Sequence, residues 1–366
     1  MEERELGGGS EGLLAGIRVL DLTVWRPGPY ATQLLAEIGA DVVKVEPPGG
    51  DPMRSYPGLF LSLNANKRSV MLDLKSDSGR RRALELAAEA DVVIEGFRPG
   101  VATRLGVGYT DVRAVNPSIV YCSISGMGQH GQLALASGHD LNYQAWAGSL
   151  APEGGPPVVS PVPIADLAGG MAAAFAICAA VIRRLQSGEG ERIDVAMTDV
   201  LVTWTGAARA KAASVDGPVK GVPGYGTFET ADRRHVALGV LTEDHFWRSL
   251  CDALGMTDCR DLSFADRLPR QAELQERIAE AIAGRERDQL VDELLAAGVP
   301  VSPVLDRSEM LGLAHFRERS VVTKDPWSDP ATGYPVMFFG HPAERTTPPP
   351  ALDEHRGGGF QPRSPR

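Results

Sequence analysis

A strand–helix–strand unit near the start of the chain constrains its fold more than any other feature. Ile17-Arg18-Val19-Leu20-Asp21-Leu22 reads as a short β-run, and Arg26-Pro27-Gly28-Pro29 is a turn that opens a helix with proline at its start. Helical periodicity from Tyr30 to Ile38 stops at Gly39, and Asp41-Val42-Val43-Lys44-Val45-Glu46 is the next strand, broken by Pro47-Pro48-Gly49-Gly50. A helical crossover between two strands makes them parallel. The pattern repeats, with a strand at Ser69–Leu74, a charged amphipathic helix at Asp77–Ala90 and a strand at Asp91–Glu95. Phe97-Arg98-Pro99-Gly100 then leads through a short helix ending at Leu105 to a strand at Ile119–Ile124. The prediction is a doubly wound, Rossmann-like α/β domain with its ligand crevice at the carboxyl ends of the strands.

A proline-rich approach from Gly154 to Pro163 ends at Asp166, followed by Gly169-Gly170 and a nearly uninterrupted small-apolar run from Met171 to Ile182, closed by Arg183-Arg184. Apolar on all sides, this run reads as a buried helix. It is shorter than the ~20 apolar residues a membrane span needs, so no membrane association is expected. An Asp at such a helix start serves as an N-terminal cap. Beside glycines that let a ligand approach backbone amides, it is also placed for acid/base or nucleophilic work on an acyl group.

Gly126-Met127-Gly128-Gln129-His130-Gly131 matches G-x-G-x-x-G and follows a strand, but Ser137-Gly138 interrupts the helix that should receive a pyrophosphate. It reads as a ligand-edge loop to which Gly126 and Gly128 contribute, with no nicotinamide cofactor. After Arg192–Met197, another strand or the start of a long helix, the texture changes at Tyr225. Thr227–Thr230 and Arg234–Val240 alternate around Ala231-Asp232-Arg233 as a hairpin, followed by helical stretches at Asp244–Leu254 and Leu268–Leu295. The expected organisation is a flexible N-terminus at 1–14, a large α/β domain at 15–205, a linker at 206–223 and a small α+β domain at 224–305. From 306 to 366 the chain returns to the large domain and ends in a Pro/Gly-rich wrap or frayed tail.

The formal net charge of −10 argues against a nucleic-acid partner. Cys122, Cys178, Cys251 and Cys259 form no C-x-x-C pair and predict free thiols in a reducing compartment, hence a cytoplasmic protein. No metal-ligand spacing occurs.

Between the glycine loop and Asp166 lies Gly138-His139-Asp140-Leu141-Asn142-Tyr143. His139 and Asp166, on two ligand-edge loops of one domain, are arranged to face one small molecule from opposite sides, which stereoinversion at an acidic carbon requires. Glu243, where the hairpin ends, is a third acid able to orient His139.

These segments, together with Gly16–Leu22, Gly39–Glu46, Asn66-Lys67-Arg68-Ser69-Val70, Phe97–Gly100 and Asp166–Gly170, identify the chain from about Gly16 to Glu354 as a member of the family III CoA-transferase superfamily of CaiB/BaiF type. That superfamily also contains the α-methylacyl-CoA racemases and the carnitine-CoA transferases. The resemblance implies a large CoA-binding domain, a small domain, and two subunits interlocked like chain links, with the active site between one subunit's large domain and the other's small domain. It implies a CoA thioester substrate and no separate cofactor. By matching motif, Asp166 is the catalytic Asp, His139 the racemase's second acid/base, and Glu243 its third site acid. Asp140 and Tyr143 match neighbours in the His139 segment, and Arg98, Asn66, Lys67, Arg68 and Lys44 are the basic or polar candidates for CoA.

Pro47-Pro48-Gly49-Gly50-Asp51 resembles the transferase branch, whereas Gly-His-Asp-Leu-Asn-Tyr resembles the racemase. The leading expectation is a racemase in which His139 and Asp166 exchange the α-proton of a 2-methylacyl-CoA through an enolate. Backbone N–H groups near Asp166 and Gly169-Gly170 would steady the thioester oxygen. The alternative is a CoA transferase with Asp166 as nucleophile. A CoA-binding protein without catalysis is the third class.

Overall fold

β-Branched runs punctuated by glycine and proline become the strands of a parallel sheet in a computed structural model that describes residues 12–150, 156–209 and 222–363. Most of the expected flexible N-terminus and of the linker lies outside these residues. The strands are β1 (Arg18–Leu22), β2 (Asp41–Glu46), β3 (Lys67–Met71), β4 (Val92–Glu95), β5 (Val120–Ser125) and β6 (Glu191–Ala196). Their order is β3-β2-β1-β4-β5-β6, every neighbouring pair parallel. The chain winds outward from β1 through β2 to β3, then returns to lay β4 on the other side of β1. At that reversal the connections leave the sheet in opposite directions and a crevice opens.

The helices around this sheet, as far as Arg209, are α1 (Pro27–Glu37), α2 (Pro57–Leu63), α3 (Asp77–Glu89), α4 (Val101–Arg104), α5 (Tyr109–Val115), α6 (Asp140–Trp146), α7 (Ile164–Ser187) and α8 (Met197–Arg209). Period-2 alternation gives the sheet two apolar faces. Val19, Val42 and Ile94 bury against α1 and α7, while Leu20, Val43 and Val93 bury on the other face with Leu86 of α3.

α7 departs from the expectation of burial on all sides. It begins at Ile164, spans 24 residues, and is long and apolar enough by length and composition to cross a membrane, with a mean hydropathy of 1.9 in its most apolar window. Half of that window is buried within the protein. The buried half is the small-residue face of Ala165, Ala168, Ala173, Ala174 and Ala180. Close approach of α1 explains the choice of residues: a Cβ on Gly170 would lie 2.6 Å from the Pro27 carbonyl oxygen. The larger side chains Met171, Phe175, Ile182 and Leu185 point outward, Phe175 78% exposed.

The chain divides into two compact units, one running to Arg209 and resuming at Ala314, the other lying between and ending at Leu313. The inserted unit contains the antiparallel sheet β7 (Tyr225–Glu229), β8 (His235–Gly239) and β9 (Val301–Pro303). Its helices are α9 (Asp244–Leu254), α10 (Phe264–Arg267), α11 (Gln271–Ala283), α12 (Arg287–Ala296) and α13 (Arg307–Gly312). The single helix expected at Leu268–Leu295 is broken at Gly284, where α11 ends. Trp247 is fully buried, and its indole N–H donates to the Cys259 carbonyl at 2.9 Å.

On returning, the first unit gains α14 (Ala314–Glu318) and a hairpin of β10 (Val322–Asp325) and β11 (Ser328–Thr332) that the sequence reading did not anticipate. The Pro/Gly-rich segment then wraps. Arg345 pairs with buried Glu37 at 2.5 Å, and the Asn66 side chain accepts from the Thr346 and Thr347 amides. The His355 amide donates to the Ser69 carbonyl, and Phe360 is buried beneath the Arg18 guanidinium.

Candidate active site

At the topological switch point, a cavity of about 740 Å³ opens at the carboxyl ends of β1, β4 and β5. Val24, Trp25 and Gly28 follow β1, Phe97 and Arg98 follow β4, and Gly126 follows β5; His139, Tyr143 and Asp166 complete the lining. The sheet thus brings the expected pair, His139 and Asp166, into one cavity.

Asp166 lies in the first turn of α7 with its side chain 18% exposed. Its carboxyl is pushed up to about 6, first by burial and then by the nearby Asp140 carboxylate, against the opposing pull of Arg26 and His139. A carboxylate with this value is ionised at neutral pH yet poorly solvated, a state suited to nucleophilic or basic work. The Arg26 Nε stands 4.0 Å from Asp166 Oδ2. Arg26 was legible in the sequence only as part of a helix-opening turn; its position between β1 and α1 at the switch point sets it beside Asp166.

Asp140 and Tyr143 of the His139 motif also make scaffold contacts. Asp140, expected to contact substrate, caps α7: Oδ1 accepts from the Ala165 and Asp166 backbone N–H groups at 2.7 and 3.1 Å, and Oδ2 accepts from the Gln144 side-chain Nε2 at 2.6 Å. Tyr143, expected at the substrate, stands in the cavity wall, 8% exposed, and its hydroxyl donates to the Gly138 carbonyl at 2.5 Å. Its ring accounts for Gly126, where a Cβ would lie 2.2 Å from Tyr143 Cε1. His139 keeps an exposed side chain, while its backbone N–H donates to Asn142 Oδ1 at 3.0 Å. Gly128 has φ +79° and leads the loop to Gln129, whose amide donates to Asp194. No helix starts in this loop, the next being α6. Gly169 and Gly170 sit inside α7 as packing residues, so they are not the donors expected for a thioester oxygen.

The basic residues expected at CoA separate. Arg98 reaches the cavity and donates to Ser137 Oγ. Lys44 is corrected to a structural role: fully buried, it donates to the Thr23 carbonyl at 2.8 Å and pairs with Asp51 at 2.8 Å. Lys67 is likewise buried, donating to the Pro29 carbonyl at 2.9 Å and Asn64 Oδ1 at 3.0 Å, with Asp21 at 3.5 Å. Burial lowers the Lys67 ammonium to about 7. For Asp21, burial opposes ionisation, but Lys44 and Lys67 override it and hold the carboxyl below its ordinary range. Asn66 and Arg68 lie at the amino end of β3, across the sheet from the switch point. Asn66 there holds the returning segment and Arg68 pairs with Asp41. They line a different cleft, of about 530 Å³, beneath residues 342–361. Strand direction is the physical reason, since residues entering a parallel strand cannot reach its carboxyl end. Glu243 belongs to the inserted unit, where it precedes α9 with an exposed side chain.

One more feature shapes the cavity wall. Trp25 adopts φ +63°, which a bulky residue rarely does. Asp51 Oδ1 accepts from the Trp25 amide at 3.4 Å while Lys44, its ion-pair partner, holds the Thr23 carbonyl. The buried ion pair thus fixes the turn that delivers Arg26.

Known proteins resemble this chain along nearly its whole length. The CoA-transferase family III profile matches residues 14–356. The chain is 33% identical over 369 residues to acetyl-CoA:oxalate CoA-transferase of Acetobacter aceti, covering 94% of each protein. It is 35% identical over 385 residues to succinyl-CoA:mesaconate CoA-transferase of Haloarcula hispanica, covering 94% of this chain and 95% of that one. Among solved structures, a CAIB/BAIF family protein from Brucella suis superposes with a TM-score of 0.83 at 30% identity, covering 94% of this chain and 98% of that one. With a matching profile along nearly its whole length, the sheet order and the Asp166 cavity in place, the chain belongs to CoA-transferase family III.

Proposed function

We propose that this protein is a CoA transferase that moves CoA between carboxylic acids, with Asp166 as the nucleophile. The observation that carries the reading is a single half-shielded carboxylate, raised to about 6 and ionised at neutral pH, on the wall of the switch-point cavity. The names of similar proteins favour transfer over racemisation: acetyl-CoA:oxalate, succinyl-CoA:mesaconate and formyl-CoA:oxalate CoA-transferases. The racemase expectation rested on the His139 motif, and in it Asp140 and Tyr143 have scaffold duties.

The chemistry needs no group beyond the substrates. Asp166 Oδ attacks the thioester carbonyl carbon, the C–S bond breaks, CoA leaves as thiolate, and a mixed anhydride remains. The thiolate then attacks Asp166 Cγ and expels the donor acid as carboxylate, leaving an aspartyl-CoA thioester. The acceptor carboxylate attacks Cγ, releasing CoA thiolate and forming a second anhydride. Attack of the thiolate on the acceptor's acyl carbon yields the new thioester and restores the Asp166 carboxylate. Arg98 is assigned to CoA and His139 to the acyl end of the cavity. An interlocked homodimer, with Glu243 supplied by the second subunit, completes the reading, and the outward apolar face of α7 suits such an assembly.

The test is intact-protein mass spectrometry with succinyl-CoA and a panel of free acids, alongside a single-enantiomer 2-methylacyl-CoA in D₂O. A CoA adduct at Asp166 and acid-dependent formation of new CoA esters are expected. Deuterium at the α-carbon with loss of optical purity and no acid requirement would instead make it a racemase.

A further inference from the structure

We propose that Arg26 reads carboxylates for this site: it pairs with Asp166 in the resting protein and with the second carboxylate of a short dicarboxylic acid once Asp166 is acylated. The inference rests on the transferase reading and adds the substrate class. Arg26 approaches Asp166 only through Nε, at 4.0 Å. Among the described residues, no other ion pair or hydrogen bond occupies its guanidinium, so both Nη groups are uncommitted. A guanidinium binds best to a planar carboxylate in a bidentate fork, which this resting contact does not supply.

Acylation makes the need acute. When Asp166 becomes an anhydride or a thioester, its charge disappears and Arg26, only 34% exposed, is left without its counter-ion. A monocarboxylic acid bonded at Asp166 has no remaining charge to offer. A dicarboxylic acid presents its free end, and the 4.0 Å separation selects a short one.

The local backbone supports a dedicated role. Trp25, immediately before Arg26, is kept in the left-handed region. A strained conformation of this kind persists only where surrounding structure over-determines it. Here the Lys44–Asp51 pair does so, gripping the Thr23 carbonyl and the Trp25 amide. Arg26 also begins α1, its carbonyl accepting from the Tyr30 amide at 3.0 Å. A side chain that served only as surface charge would not need its turn fixed from both sides.

The test reads binding directly and does not depend on turnover. Succinate and propionate are titrated calorimetrically into the full-length wild type, Asp166→Asn, Arg26→Gln, Arg26→Lys and the Asp166→Asn/Arg26→Gln pair. Succinate should bind Asp166→Asn at least tenfold more tightly than the wild type, because the competing carboxylate is gone. It should lose that gain in the double variant, while propionate changes little. Arg26→Lys should keep part of the succinate affinity, separating loss of charge from loss of fold. Equal succinate binding with and without Arg26 overturns the proposal. Arg26-dependent succinate binding in a protein that forms no new CoA ester with any acid would overturn the transferase reading and the acylated-state role with it, leaving Arg26 only as a carboxylate-binding group.

Discussion

The Asp140 carboxylate caps the helix that carries Asp166: its Oδ1 accepts the Asp166 backbone N–H at 3.1 Å and that of Ala165 at 2.7 Å. The same carboxylate adds its repulsion to the burial that lifts the Asp166 carboxyl, so Asp140 bears on both the position and the basicity of Asp166. Asp140→Asn keeps an oxygen to accept the amides and removes the charge. The acid limb of the pH–rate profile, expected near 6 in the wild type, should move to lower pH with thermal stability nearly unchanged. Asp140→Ala should also lose the cap, costing about 1–2 kcal/mol in denaturant melts.

Asp166→Asn should abolish CoA transfer and stabilise the fold. The folded-state carboxyl lies at about 6, above its ordinary 3.8, so the fold favours the protonated form and ionisation destabilises it. The variant's advantage should therefore be absent below the unfolded value, grow as pH rises, and be complete above about 6. Its upper limit is about 3 kcal/mol, reached at neutral pH. Thermal melts across pH 3–8 read both the sign and the window.

Lys44→Met should unfold the protein more easily while sparing affinity for CoA in whatever remains folded. Removing one member of a buried pair leaves Asp51 and Asp21 short of a cation, which typically costs about 3–5 kcal/mol. Urea denaturation together with CoA titration separates this outcome from the one a CoA-contacting lysine would give.

Trp25→Gly and Trp25→Ala remove the same ring, which packs against Tyr56 at 6.5 Å, yet they should differ in stability. Glycine adopts φ +63° without strain and alanine does not, so the glycine variant should be the more stable by about 1 kcal/mol. Equal melting temperatures would show that the turn relaxes when the ring is lost.

The central strands were legible because β-branched residues at alternate positions feed both faces of a sheet, and glycines and prolines mark their ends. β1, β2, β4 and β5 fall where those signals put them. Asp166 was legible from its place before a small-residue helix. Lys44 and Lys67 were not, because a lysine alternating with valines in a strand looks solvent-facing until Asp51 and Asp21 arrive from elsewhere in the chain. Arg26 was hidden for a similar reason: its meaning depends on Asp166, which a crossover far along the sequence brings to it. The wrap of residues 341–363 carries no periodicity, and its anchors, Glu37, Asn66 and the Phe360 pocket, are all tertiary.

That wrap governs the order in which the protein can be completed during synthesis. The inserted unit has its whole core, from Phe228 to Val299, once Leu313 has left the ribosome. The first unit, begun earlier, must wait for its final turn of chain. Until Arg345 reaches Glu37 and Phe360 reaches its place beneath Arg18, the outer side of β3 stays open and the sheet face covered by α3 lacks its last side chain. The unit that starts first therefore finishes last, and a nascent chain stalled between residues 313 and 345 exposes the edge most prone to pairing with another molecule.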